Sequence, residues 1–498
     1  MQLQFEKKPL SCLQTVKRET QSQEQTQEIR ISDGMPDIGS VIGAWGQVIL
    51  RSKEWQSDGM SVNGGTMVWV QYMPEEGGQP QCVESWLPFQ MRWNFPATEH
   101  DGAIFTQCFL CGVDARSTSA RKLILRSNVS VQAWAMQPCE KDLYSAADIP
   151  QDIQLRRQRY PVMLPMEAGE KAFSLEESFT LPPSVPKIEK LLAYHLQPQI
   201  VEEKLMGDKV VFRGNAVLHV LYCADDGGQY AWDFDLPFTQ YGELDREYAE
   251  QAQILVLPCV TALELDVEVE KLNLKAGLVC QYRISDEALA EVVTDAYSAA
   301  RSVTPMEQEL LIPSILETKN QTIHAQVTCP VDCMRLTDLQ FFPRSVHVRN
   351  SGENVTLEIP GQFQILYYDM EGQLHTLTQK WEETLTLPVG EGCTVKAMVH
   401  TEGKPQGNLM AGNAQLSAEL QLTVQTVNGS GIRVIAGIEA GELQQPDPHR
   451  PSLILLRPGK KDLWQLAKEN GSTVDAIRSA NHLQDEPEST KMLIIPVI

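Results

Sequence analysis

A chain that repeats itself at a fixed offset folds as related copies, and this one does so over most of its length. Residues 27–38 align without a gap on 177–188, so that Pro36 falls on Pro186 and Ile38 on Ile188, an offset of 150. The same offset carries Tyr72 of Val-Trp-Val-Gln-Tyr onto Tyr222 of Leu-His-Val-Leu-Tyr. An acidic Gly-Gly-Gln turn follows each tyrosine, Glu75 to Gln79 and Asp225 to Gln229, and leads to Leu-Pro-Phe at 87–89 and 236–238. Tyr144-Ser145-Ala146-Ala147 returns as Tyr297-Ser298-Ala299-Ala300. A third, weaker copy runs from Ile365 to Gln373, with Tyr367 standing 145 positions after Tyr222 and the Leu-Pro-Phe gone. With 498 residues the chain exceeds what one core can hold. Three domains follow, at 1–160, 161–303 and 304–440, then a linker at 441–452 and a small domain at 453–498.

The repeats read as strand. Leu263, Leu265, Val267 and Val269 alternate with Glu264, Asp266, Glu268 and Glu270. Leu416, Ala418, Leu420, Leu422 and Val424 alternate in the same way with polar neighbours. A period of two with one polar face predicts antiparallel sheets that cover a core on one side, with Gly-containing turns as hairpin loops. Sandwich and barrel satisfy this pattern equally, and Ser285–Ala299 suits helix or strand. Arg18–Glu28, rich in Gln, Glu and Thr, is expected to be a flexible lead-in. Gln444–Pro451 is expected to be a semi-rigid, Pro-rich linker.

Beyond the linker the period changes. Leu453–Arg457 reads as a short strand ended by Pro458-Gly459. Asp462 is placed to cap a helix carrying Leu463, Leu466 and Ala467 on one face, stopped by Asn470-Gly471. Ser472-Thr473-Val474-Asp475 reads as the start of a second helix, with Val474, Ile477 and Ala480 inward. Met492–Pro496 closes the module with a strand, giving βααβ. The predicted fold class is therefore mainly β: tandem antiparallel β domains followed by a small βααβ domain.

The C-terminal segment resembles a LysM module. The resemblance rests on Pro458-Gly459, Leu463-Trp464-Gln465-Leu466-Ala467-Lys468, Thr473 to Ile477, Asn481 with Leu483, and Leu493 to Pro496. One departure is visible: the family's Gly-Asp-Thr is here Gly459-Lys460-Lys461-Asp462. In that family the loop borders a shallow groove for N-acetylglucosamine polymers. The repeats resemble the SPOCS domain through Glu6 to Pro9, Met35 to Ile38, Val185 to Ile188, the tyrosine hairpins and both Leu-Pro-Phe turns. SPOCS repeats followed by one LysM module resemble a family of clostridial spore-coat morphogenetic proteins. That resemblance implies a scaffold encasing the forespore from the mother-cell cytoplasm, with the LysM module docking the morphogenetic ATPase of the coat basement layer. Its rival is a peptidoglycan-binding protein that uses the LysM groove. For either ligand the candidate contacts are Gly459, Lys460, Lys461, Asp462 and Leu463 on one edge and Asn481, His482 and Leu483 on the other. Trp464 is read as half core.

Charge and chemistry narrow the classes. Lys and Arg number 42 against 65 Asp and Glu, a net charge of −23, which repels phosphate backbones and argues against nucleic acid. Residues 453–498 balance six basic against six acidic side chains, so the excess lies in the repeats. No apolar run is long enough for a signal peptide or a membrane span, and eleven cysteines are expected as free thiols in a reducing cytoplasm. Phosphate-loop, zinc-protease and nucleophile-elbow motifs are not found, so no catalytic residue, cofactor or metal is expected. Cys108 and Cys111, three apart on a strand, point to opposite faces and cannot share an ion. The nine histidines look scattered, and Glu264 to Glu270 reads as a solvated face. Tyr72, Tyr222 and Tyr367 read as core residues with the hydroxyl at an edge.

Overall fold

The computed structural model describes residues 2–96, 102–145, 149–268, 271–410, 412–444, 449–483 and 492–498. Ala146-Ala147 of the repeated tetrapeptide, Val269 and Glu270 of the alternating strand, and residues 445–448 of the linker lie outside this set. Strands dominate, and the two helices among the described residues both belong to the C-terminal module.

Each repeat builds two antiparallel sheets. In the first, Ile38–Gln56, Gly59–Pro74 and Gln81–Asn94 form a meander. The second sheet places Lys122–Ser145 between Ala103–Ser119 and the opening strand, Glu6–Arg30. The second repeat has the same order: a meander of Ile188–Met206, Lys209–Ala224 and Gln229–Glu243, and a sheet with Lys271–Ser298 between Gln253–Glu268 and Ile153–Phe179. The third keeps it too, with Asn413–Asn428 between Ser314–Pro330 and Cys393–Met410. Its meander differs in that the first strand is split into Cys333–Pro343 and His347–Ser351, both paired with Asn354–Asp369. Proline at the end of the first piece cannot continue a ladder, which accounts for the break. The two sheets of a repeat face each other across one core, as Leu218 and Val220 of one meet Leu263 and Leu274 of the other, so the architecture is a sandwich.

The repeated motif has a geometric cause. Tyr72 is fully buried and donates its hydroxyl to the Pro36 carbonyl at 2.9 Å, and Tyr222 donates to the Pro186 carbonyl at 3.1 Å. In the turns, Gly77, Gly227 and Gly372 have φ of 81°, 79° and 77°, the left-handed region where a side chain is strained. Their amides close matching turns onto the carbonyls of Pro74, Ala224 and Asp369.

Two expectations change. Arg18–Glu28 is not a loose lead-in: it lies within the strand Glu6–Arg30, paired residue by residue with Lys122–Ser145. Its polar character suits an exposed sheet edge, where Glu24 and Glu28 pair with Arg126 and Lys122. The second helix of the C-terminal module is capped by Thr473, one residue later than expected. Ser285–Ala299 falls largely in the long strand Lys271–Ser298.

The long strands overrun their sandwiches. Residues 6–15 continue beside 136–145, and 153–165 beside 285–298. Val303–Leu311 pairs with Gly431–Ala440 as the counterpart in the third repeat. These ribbons pack on one another through Leu143, Val162, Ala290, Leu310 and Val434, so the three repeats share a base.

Candidate functional site

In the C-terminal module, the first helix (α1, Leu463–Asn470) starts where the Asp462 side chain accepts from the Gln465 amide at 2.8 Å, and ends at left-handed Gly471. The second (α2, Val474–Asn481) starts where Thr473 accepts from the Ala476 amide. It ends on His482 with φ of 54°, the one non-glycine residue with positive φ among those described. Strands Leu453–Leu456 and Leu493–Pro496 pair antiparallel beneath the helices, completing a βααβ arrangement.

The eight predicted contact residues separate into two groups. Gly459, Lys460, Lys461 and His482 are exposed, with Lys461 paired to Glu469. The others are engaged. Leu463, read both as a candidate contact and as part of the apolar face of α1, is 0% exposed because it belongs to the module's own core. Leu483 packs half-buried beside that core. Asn481 stitches α2 to the closing strand, donating to the Ile494 carbonyl at 2.6 Å and accepting its amide at 2.7 Å. Asp462, besides capping α1, pairs with Arg156 of the second repeat at 2.8 Å.

That last contact belongs to an interface that the sequence does not announce. Trp464 donates its indole N–H to Asp295 at 2.7 Å, Lys468 reaches the same carboxylate at 2.8 Å, and Tyr297 donates to the Ser472 carbonyl at 3.0 Å. The Tyr297 and Trp464 rings meet edge to face, with centroids 4.8 Å apart. Burial pushes the Tyr297 hydroxyl up to about 12. Burial also works to raise Asp295, but Lys468 and Trp464 outweigh it and hold the carboxyl below its ordinary value. The module is thus seated on the ribbon of the second repeat, and Gln444 at the start of the linker is tied to the Ala300 carbonyl.

A second site lies where the three repeats converge around a chamber of about 470 Å³. His219 sits between two carboxylates, its Nδ1 2.6 Å from Asp233 and its Nε2 2.9 Å from Asp338. The second contact is close as an ion pair but off-line as a hydrogen bond. Asp338 also accepts from Trp45 Nε1 at 3.2 Å and Gln340 Nε2 at 3.0 Å, and Lys404 pairs with Asp233 at 3.1 Å. One network therefore joins Trp45 of the first repeat, His219 and Asp233 of the second, and Asp338 and Lys404 of the third. Burial lowers the His219 pKa, but the two carboxylates outweigh it and carry the imidazole up to about 10. His195, its ring centroid 4.8 Å away, is pushed down to about 3 by burial and by the charge on His219. Asp233 is brought down to about 2 because His219 and Lys404 overcome its burial. Such a network fixes the repeats relative to one another, since each charge is buried only on condition that its partners stay. Neutral bonds extend the joint: Gln281 exchanges two hydrogen bonds with the Thr106 backbone, and Gln364 donates to the Ala44 carbonyl.

The histidines are thus not all scattered, as the sequence had implied. One signal was countable: the tyrosine hairpin sets Tyr222 opposite Tyr230, which places His219 opposite Asp233. Asp338, 119 positions further on, leaves no such trace. Cys108 packs beside the core of the first repeat while Cys111 faces that of the third, as opposite faces of one strand require. All eleven cysteines are free, and Glu264, Asp266 and Glu268 are solvated. Among the described residues there is no cluster of three or more His, Cys, Asp or Glu suited to a metal, and no helix long and apolar enough to cross a membrane.

Residues 187–276 match the family model described as SipL, SPOCS domain. The match spans the meander of the second repeat with Tyr222, His219 and Asp233, and it supports a SPOCS-domain protein with a role in sporulation. No curated protein and no solved structure matches the chain.

Proposed function

We propose that this chain is a non-enzymatic scaffold of endospore coat assembly that works at the forespore surface on the mother-cell side. Its C-terminal module, read as a LysM domain, docks the coat basement-layer morphogenetic ATPase. The observation that carries this reading is the SPOCS match at 187–276, which lies within a body of three interlocked β lobes. A rigid body with one appended module suits assembly, because it holds its docking edge at a fixed place. The loop before α1 presents Lys460 and Lys461, the latter paired with Glu469, on a chain whose net charge is −23, a local basic spot for an acidic or mixed partner surface.

Co-purification with the ATPase tests the reading, using the full chain, a chain ending before Leu453, and a Lys460→Glu, Lys461→Glu double variant. The full chain captures the ATPase and the shortened chain does not. The double variant is weakened, most visibly at low ionic strength where rim charges act furthest. Equal capture by the shortened chain removes the module from the docking role. Retention of the full chain on insoluble peptidoglycan, with no ATPase captured, replaces this reading with the glycan one.

A further inference from the structure

Three cations stand together, one from each repeat, and none of them is ion-paired with a carboxylate among the described residues. Arg18 donates to the Ala397 carbonyl at 2.9 Å, and its guanidinium lies 5.2 Å over the Trp134 ring. Lys396 is the next residue along from that carbonyl. Arg283, 4% exposed, donates to Gln425 at 3.0 Å, and Gln425 is the cross-strand neighbour of Lys396. The Nε of Arg283 is buried with no acceptor. The nearest acid in sequence, Glu19, lines the same groove, but its carboxylate is paired with Lys17 at 2.8 Å and with none of the three cations.

The cluster opens on a groove of about 650 Å³ between the first and third repeats, lined by Arg18, Gln132, His347, Arg349, Thr394 and Lys396, with Glu19 as the one acid among its lining residues. Arg349 is already paired with Glu358, at 3.0 Å. Burial, and after it the charges of Arg18 and Arg283, lowers Lys396 to about 8; burial and then Arg283 lower Arg18 to about 10, and burial alone takes Arg283 to about 10. Like charges drawn out of water without a counter-ion are costly, and in a chain this acidic there was no shortage of carboxylates to place beside them.

We propose that this groove binds a phosphate group, held by Arg18 and Lys396 with Arg283 behind them, either as the free ion or as the head of a small phosphomonoester. Guanidinium forks match a tetrahedral oxyanion, and lysine adds a point charge. The groove has room for more than the bare ion, so an ester can leave its organic part among Thr394, Gln132 and His347.

The experiment titrates the full chain with inorganic phosphate, with a nucleoside monophosphate and with the unphosphorylated nucleoside, at constant ionic strength set by chloride, by calorimetry and thermal melting. One saturable site per chain is expected for a phosphate probe, with a Tm rise of roughly 2–4 °C near saturation and no response to the nucleoside. Tighter binding of the ester makes the ester the occupant, and equal binding makes the free ion sufficient. Lys396→Met keeps the length and apolar stem of the side chain and removes the charge. It is expected to melt at or above wild type without anion and to bind phosphate roughly tenfold more weakly or worse, the loss of one charge-assisted contact. Arg18→Gln is expected to weaken binding similarly. The proposal is overturned if neither phosphate probe binds saturably, if Lys396→Met binds as wild type does, or if Lys396→Met is destabilised in the absence of anion, which would show its charge already compensated.

Discussion

Trp45 and Trp464 make the same arrangement at two places. Each donates its indole N–H to an aspartate that also holds a cation, Asp338 with His219 in one case and Asp295 with Lys468 in the other. The difference is water. At the centre the side chains of His219 and Asp338 are 13% and 2% exposed, whereas those of Lys468 and Asp295 are 43% and 27% exposed. Identical chemistry therefore carries different weight. A buried pair cannot lose one member without stranding the other, while a wet pair can hand either member to solvent at little cost. The first joint sets how the lobes sit, and the second holds the C-terminal module against the second repeat.

The sharpest way to break this comparison is Asp338→Ala. It leaves a charged, buried imidazole facing Asp233 alone, and a loss of roughly 3–5 kcal/mol is expected. Differential scanning calorimetry would read it as a large fall in Tm, with the His219 pKa dropping in NMR titration. A change under about 1 kcal/mol would mean that water already reaches this joint.

The pH dependence follows from the same residue. The folded pKa of His219 is raised, at about 10 against an ordinary 6.5, so its contribution is fully present below pH 6.5 and is lost as pH climbs through about 10. Lys396, lowered to about 8, titrates in that window with the opposite sign, so the readout is the difference between wild type and His219→Gln. Wild type should lose stability more steeply between pH 6.5 and 10 than the variant does. Parallel slopes would remove the charge from His219.

A smaller effect separates the repeats themselves. Tyr222→Phe loses the bond to the Pro186 carbonyl and should cost about 1 kcal/mol. Tyr367 has no such bond among the described residues, so Tyr367→Phe should leave Tm nearly unchanged. Equal losses at the two sites would show that packing of the ring, and not the hydroxyl, sets the value of the motif.

These residues also mark how much could be read in advance. The tyrosine turns, the period-two strands and the helix cap at Asp462 are local, and local patterns state their own geometry. Arg18–Glu28 misled because its partner strand lies about a hundred positions away, and nothing polar in the segment reports Trp134 or Val131 across the ladder. Leu463 carries two signals, since it shares the apolar face of α1 with Leu466 and Ala467 yet follows the exposed loop of Lys460 and Lys461; the helix face decides, and Leu463 lies in the core. Both tryptophan–aspartate joints escaped for the same reason, since their members are 293 and 169 positions apart in the chain. A tertiary ion pair has no period.

The smallest expected effect falls on the module joint, at Asp295→Asn. The amide oxygen can still accept the indole N–H of Trp464, but the charge that attracts Lys468 is gone. What is lost is one exposed ion pair, about 0–1 kcal/mol, with the Tyr297–Trp464 contact and the Asp462–Arg156 pair remaining in place. The module itself should stay folded, because Leu463, Leu466, Ile477 and Leu493 do not depend on Asp295. Hydrogen exchange over residues 463–470 should therefore accelerate only a few-fold, and high salt, which screens the pair in wild type, should narrow the gap between the two proteins. If Asp295→Asn instead released the module outright, independently of salt, then exposure would not be what separates the two joints. The ribbon of the second repeat would then be holding its passenger as tightly as the centre holds the lobes.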